Sequence, residues 1–205
     1  MTAPLILAMD ISKTRTGICE GRVGARPTFM SISGNDMSDT AAMMRLGNWL
    51  IARLRIDPPD WIYFEAQISL GAFMGEYDED KGKVRMTSSP ATTITLAKMI
   101  GIVEFIGGMK HMQMSEAKVQ TVRKAFIGHG NLKGEVAKPR VMALSKALGW
   151  EPKNHDESDA GAVWFYAGTQ VSPRHYTPIT PMMQAKVATE VDAAMASRGK
   201  GRARA

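Results

Sequence analysis

Leu5-Ile6-Leu7-Ala8-Met9-Asp10 is a run of five apolar residues closed by one carboxylate. A run this short, bounded by polar residues, is consistent with a buried strand, whereas a core helix needs ten or more residues. A carboxylate ending it is expensive in apolar surroundings unless it has a partner, and a metal ion is one such partner. Polar residues through Thr16 lead to a second run, Gly17 to Val23, that can fold back on the first as a hairpin, and Thr28 to Ile32 supplies a third strand. The pattern repeats further on: Asp57-Pro58-Pro59-Asp60 stops the chain, Trp61-Ile62-Tyr63-Phe64 forms a wholly apolar strand, and Glu65 closes it. Two strands thus end in single acids. In α/β sheets functional groups gather beyond the carboxyl ends of strands, although an acid there is also a cap or an ion-pair partner.

Between these strands the period changes. Met43, Leu46, Leu50 and Leu54 follow helical spacing behind Ser38, a cap residue, so the segment from Ser38 to Arg55 is read as a helix. Residues 69 to 89 are rich in Gly, Ser and charge without a period and read as a long loop. Ser89-Pro90 opens a helix to about Gly108, with Ile94, Ala97, Ile100, Gly101 and Phe105 expected on its buried side. A short strand at His111 to Met114 is followed by helices at Lys118 to Ile127, Lys133 to Leu148, Asp156 to Thr169 and, after a Pro-rich stretch, Pro181 to Ala196. Three strands, helix, strand, helix, strand and further helices describe an α/β mixed sheet covered by helices. The expected division is one domain over 1-172 and a C-terminal extension over 173-205 with a basic, disordered tail.

Asp156 and Asp159 stand three apart at a helix start, which puts both carboxylates on one face. The helix dipole favours acids there and Asp156 could be the cap. The small residues Ala160, Ala162 and Val163 after Asp159, however, mark that side as packed on the sheet. Oxygen ligands aimed inward favour Mg²⁺, with Mn²⁺ as the alternative. Four converging carboxylates would match a two-metal phosphodiesterase site, with two ions ~3.5–4 Å apart.

Composition narrows the classes further. The chain has 205 residues, 44% hydrophobic and 22% charged, in keeping with one folded core. Of the net charge of +6, Arg198, Lys200, Arg202 and Arg204 lie in the last eight residues, a pattern that suits a polyanion as well as a solvated end. Cys19 is the only cysteine, which excludes an internal disulfide and a cysteine zinc site, fits a cytoplasmic location, and reads as a small core residue. The N-terminal run is a strand and not a signal peptide, and no stretch is expected to reach the ~18–20 apolar residues of a membrane span. The methionines at Met43, Met44, Met99, Met109 and Met142 are expected as core filler among the sixteen in the chain.

Leu5 to Asp10 with Thr16-Gly17, Phe64-Glu65, the stretch Val122 to Gly130, and Asp156-Glu157-Ser158-Asp159-Ala160 together resemble the RuvC Holliday junction resolvases of bacteria and their phage relatives, over roughly residues 4 to 168. The resemblance implies an RNase H-like fold: a five-stranded sheet of three antiparallel N-terminal strands and then parallel strands, with helices on both faces. It implies a homodimer making paired, symmetric nicks across a four-way junction. It also implies Asp10, Glu65, Asp156 and Asp159 as catalytic, metal-binding acids for two Mg²⁺ per site. The family carries an aromatic wedge three residues past the strand-end Glu; this chain has Ile68 there, and Phe73 is the nearby aromatic. Two basic residues are expected beside the Gly128-His129-Gly130 turn, where Arg123 or Lys124 matches one and Lys133 lies one place from the other. The extension past 172 has no counterpart in the shorter bacterial enzymes and points to a phage or prophage version.

Lys118, Arg123, Lys124, Lys133, Lys138 and Arg140 cluster in sequence near that turn and suit phosphate contacts, or simply form a solvated face. His155 and His129 read as polar flanks more than as ligands. The leading expectation is a structure-selective endonuclease on branched DNA, cytoplasmic, with no membrane or nucleotide partner. The alternatives are a broader flap, debranching or RNA·DNA hybrid nuclease, and a DNA-binding accessory without turnover. A kinase or ATPase of the same fold is disfavoured, because the first hairpin loop has a single glycine, Gly17, and no phosphate cradle.

Overall fold

The computed structural model describes residues 2–66, 76–78, 83–85, 89–175 and 179–202. Along the chain, β1 (Leu5–Asp10), β2 (Arg15–Arg22) and β3 (Thr28–Ser33) precede α1 (Asp39–Ile56) and β4 (Trp61–Ala66). A small hairpin of β5 (Glu76–Asp78) and β6 (Lys83–Arg85) follows, then α2 (Pro90–Met109) and β7 (Gln113–Lys118). The chain closes with α3 (Val119–Ile127), α4 (Gly134–Ala147), α5 (His155–Val171) and α6 (Pro181–Arg202).

The main sheet has five strands in the order β3-β2-β1-β4-β7. β1, β2 and β3 pair antiparallel, while β4 joins β1 and β7 joins β4 in parallel. This is the mixed RNase H-like sheet expected from the sequence. β1 lies in the middle and every residue of it is buried, which is why it reads as a continuous apolar run and not as an alternation. Alternation still divides its side chains. Ile6 and Ala8 face a core shared with Val122, Ala137, Val163 and Val187 on α3 to α6, while Leu7 and Met9 face one shared with Leu46, Leu50 and Leu54 of α1 and Val103 of α2. Cys19 belongs to the first of these cores and is wholly buried, and burial pushes its thiol well up.

Several elements differ from expectation. On α2 the buried residues are Thr93, Thr95, Met99, Ile100, Val103, Ile106 and Gly107, whereas Ile94 is 48% exposed, Phe105 68% exposed, and Ala97 and Gly101 lie outside as well. The helix is apolar on both sides, so its period cannot say which stripe faces the sheet. For the same reason Met109 is exposed, as is Met44 on α1, and neither fills the core. Over an 18-residue window α2 reaches a mean hydropathy of 1.3, enough to span a membrane by length and composition. The expectation that no stretch does so was therefore too strong, but α2 carries Lys98 and Glu104 and seals the sheet with α1.

β7 is also displaced. His111, at φ 54, belongs to the turn after α2, and the strand begins only at Gln113 and runs through Lys118. An edge strand such as Gln113-Met114-Ser115-Glu116 is half-solvated and reads as polar. The period-less segment 69–89 holds the β5–β6 hairpin, and its remaining residues, with Ile68 and Phe73, lie outside the described residues apart from Ser89. α6 runs to Arg202, past Ala196, where the expected disordered tail begins; Ala193 to Ala196 include strong helix formers that carry it on.

Candidate active site

Strand register alone brings the first two acids together. Met9 lies opposite Phe64 across the parallel pair of β1 and β4, so the next residues, Asp10 and Glu65, stand side by side about 4.8 Å apart along the sheet. Alternation then aims both at the face that α5 covers, the face of Ala8 and Tyr63. A side-chain hydrogen bond joins the two carboxyls.

The other two acids arrive on α5. Across the hairpin Asp10 pairs with Gly17, and a Cβ on Gly17 would lie 1.9 Å from the Asp156 carbonyl oxygen. Only a residue without a side chain lets the N-terminus of α5 rest on β2 beside Asp10. The start of the helix is fixed by Asn154, whose Oδ1 accepts from the Glu157 amide at 3.0 Å, while Glu157 Oε2 accepts from the Lys153 amide at 2.7 Å. This is a capping box displaced to Asn and Glu. Asp156 is therefore not the cap, contrary to one sequence reading, and it is half-buried, with Asp159 buried one turn on.

Four acids thus share one corner, and Asp10, Glu65 and Asp159 are held above the usual carboxylate range there. Burial raises Asp10 most, and the charges of Asp159 and Asp156 raise it further, while Lys138 pulls it down. Glu65 is raised by burial and then by Asp10, against the opposing charges of Arg123 and Lys138. Asp159 is pushed up to about 7, by burial first and by Glu65 next, again against Lys138 and Arg123. Carboxyls held this far above their ordinary range are short of positive charge, and a divalent cation would supply it. In kind the donors fit Mg²⁺ or Mn²⁺, all being hard oxygens. In spacing the fit is incomplete: among the described residues no group of three stands ready to hold an ion.

The basic residues divide. Arg123 on α3 acts on Glu65 and Asp159, and its Nη1 also donates to the Leu132 carbonyl at 3.4 Å. Lys138 on α4, seen in the sequence only as one of a basic cluster, places its Nζ 3.9 Å from Asp159 Oδ2. Lys118, Lys124 and Lys133 are exposed. Lys124 lines an open cleft of about 610 Å³ with His129, Asn131 and the Gly128–Gly130 turn. His155 is exposed beside Asp156. Phe73, the expected aromatic wedge, lies outside the described residues. Gly17 and Lys138 are what sequence reading passed over; the lone glycine of the Thr16-Gly17 pair was the available signal for the first, and nothing marked the second out from its neighbours.

No protein-family model matches the sequence, and no curated protein matches it. Solved structures do. RuvC of Thermus thermophilus superposes with a TM-score of 0.56 at 15% identity, covering 81% of this chain and 96% of that one. The T. thermophilus RuvC in complex with a Holliday junction substrate gives a TM-score of 0.60 at 11% identity, covering 85% of this chain and 99% of that one. With its mixed five-stranded sheet and helices on both faces, the chain has the fold of the RuvC-type Holliday junction resolvases.

Proposed function

We propose that this protein is a structure-selective endodeoxyribonuclease that resolves Holliday junctions, with Asp10, Glu65, Asp156 and Asp159 as its metal-binding acids. The observation that carries the reading is the gathering of four carboxyls from β1, β4 and α5 on one face of a RuvC-like sheet, with two of them at the carboxyl ends of neighbouring strands. Two Mg²⁺ ions, or Mn²⁺ in their place, held by these acids would activate water and offset charge on the leaving oxygen.

The chain's own groups account for the rest. Water attacks phosphorus, a new P–O bond forms and the bond to the 3′ oxygen breaks, leaving a 5′-phosphate and a 3′-hydroxyl. Arg123 and Lys138 bring positive charge to the corner into which a phosphate must enter. Lys124 and the cleft at the Gly128–Gly130 turn suit contacts with the neighbouring backbone phosphates, with Lys118, Lys133 and Phe73 as further DNA contacts.

Paired nicks need two sites related by a dyad, hence a homodimer. The exposed stripe of α2 suits a second copy of this chain: Ile94, Phe105 and Met109 are apolar, and Gly101 and Gly108 have open space around them for close helix approach. It lies on the sheet face away from the acids, leaving them free for DNA.

The test incubates purified protein with labelled four-way junction, Y-fork and linear duplex, with Mg²⁺ and with EDTA, beside Asp10→Asn. Symmetric nicks on the junction, absent with EDTA and in the variant, support resolution. Equal cutting of forks moves the reading to a general debranching or flap nuclease. Binding without cleavage in either ion overturns the enzyme and leaves a DNA-binding accessory.

A further inference from the structure

The two cations that face the acids sit on α3 and α4, and neither helix has a side-chain cap at its N-terminus. Lys133, at the cap position of α4, makes no side-chain cap bond, Gly134 opens the helix, and Pro139 interrupts it. Pro139 has no N–H to give to the carbonyl one turn back, and its ring crowds that turn, at a cost that reaches ~3 kcal/mol in a helix interior. The weak point lies next to Lys138.

α6 covers that weakness from the outside. Its Val187 is buried in the core of α3 to α5, with Ile179, Met183 and Val191 packed around it. Gln184 Nε2 donates to the carbonyls of Phe126 at 2.9 Å and Ala125 at 3.3 Å, in the last turn of α3, where carbonyls lack helical partners. Gly128, at φ 78, ends α3 in the left-handed region, and a Cβ there would come 3.0 Å from Gln184 Oε1. One residue past Pro139, Arg140 Nη2 donates to both oxygens of Asp192, at 2.9 and 2.7 Å. The Arg140 side chain is only 12% exposed and its Nε is buried without a hydrogen-bond partner. A guanidinium sunk this far stays there only if its charge is met, and Asp192 meets it.

We propose that α6 is a brace for the active site, in which Gln184 holds α3 and Asp192 holds α4, so that Arg123 and Lys138 stay aimed at the phosphate to be cut. Gln184 and Asp192 are positioning residues, acting through those two cations. The inference rests on the nuclease reading, and its experiment separates the two.

The full chain is assayed in single turnover on a four-way junction as wild type, Asp192→Asn, Asp192→Glu, Gln184→Ala, Lys138→Ala, and Asp192→Asn with Lys138→Ala. Small misplacements of positioning groups cost up to ~10²-fold, so Asp192→Asn should cut roughly 10-fold more slowly with junction affinity little changed. Asp192→Glu should restore most of the rate. In the Lys138→Ala background the Asp192 substitution should cost nothing more. A full rate in both Asp192→Asn and Gln184→Ala, or the same fold loss with and without Lys138, overturns the brace. Amide exchange is followed over Val136 to Val141 in the same proteins and should quicken in Asp192→Asn. If wild type cuts nothing, the nuclease reading falls, and unchanged exchange in the variant then overturns the brace by itself.

Discussion

The two faces of the sheet are built from the same alternating strands yet carry different burdens. Under α3 to α6, Ile6, Ala8 and Tyr63 make a core that ends in Asp10 and Glu65, and α5 brings Asp156 and Asp159 to meet them. Under α1 and α2, Leu7, Met9, Ile62 and Phe64 make an apolar core flanked by the mutually matched charges of Arg53 and Glu20, and the surplus apolar surface appears outside, on α2. One face has buried charge that works against its stability, and the other has exposed apolar area that favours a partner. The contrast teaches that a two-residue strand period is enough to place buried carboxyls on one face of a sheet and an apolar core on the other.

The largest effect should come from the acids. Asp10→Asn and Asp159→Asn should each lower cleavage by ~10³-fold or more, as loss of a group acting in the transition state does. Both should also raise the melting temperature of the metal-free protein, because each removes buried like charge; a lower one would show that the corner is not short of positive charge. The counterpart on the other face is Phe105→Glu, which should leave the fold intact, convert a dimer to a monomer by light scattering, and uncouple the paired nicks. A dimer that persists would move the interface away from α2.

Two glycines make the same comparison. A Cβ at Gly17 meets the Asp156 carbonyl oxygen at 1.9 Å, whereas at Gly101 it meets nothing within 4 Å. Gly17→Ala should therefore push α5 off β2, costing ~2–3 kcal/mol by overpacking and most of the activity. Gly101→Ala should stabilise the monomer by ~0.5–1 kcal/mol through helix propensity. Equal denaturation midpoints for the two variants would contradict the packing of α5 on β2.

The pH dependence has a definite sign. Asp159, raised from 3.8 to about 7 in the fold, binds its proton more tightly folded than unfolded. Stability is thus fully present below about pH 4 and is lost as pH rises through 7, by on the order of a few kcal/mol in metal-free protein. Asp10 and Glu65 act in the same direction. Denaturant melts at pH 5 and pH 8 with EDTA measure this, and Mg²⁺ should restore stability chiefly at pH 8. The smallest effect belongs to Asn154→Ala, which removes the cap of α5 and should cost ~1 kcal/mol in the same melts.

Much of the site was legible before the structure. Asp10 and Glu65 stood out because each ends an apolar run, and a buried strand cannot hide its terminal charge. Asp156 and Asp159 were legible through helical spacing, although that spacing left open whether Asp156 is the cap, a place that Asn154 takes. The α2 stripe was right at Ile100 and wrong at Ile94, Ala97, Gly101 and Phe105, since Ile94 and Phe105 are as apolar as Met99 and Val103 and only the neighbour each meets tells them apart. β7 was shifted because an edge strand meets water along one side and carries Ser115 and Glu116 accordingly.

Local chemistry by itself marked most of the strands and helices and pointed to the candidate acids, because periodicity and burial leave their mark on neighbouring residues along the chain. Only the tertiary structure decided that Met9 lies opposite Phe64, that Gly17 admits α5, that Lys138 rather than Lys133 reaches Asp159, and that Gln184 and Asp192 hold α3 and α4 in place. These contacts join residues tens of positions apart, and no local period records which distant group will stand across from a side chain once the sheet and helices have closed.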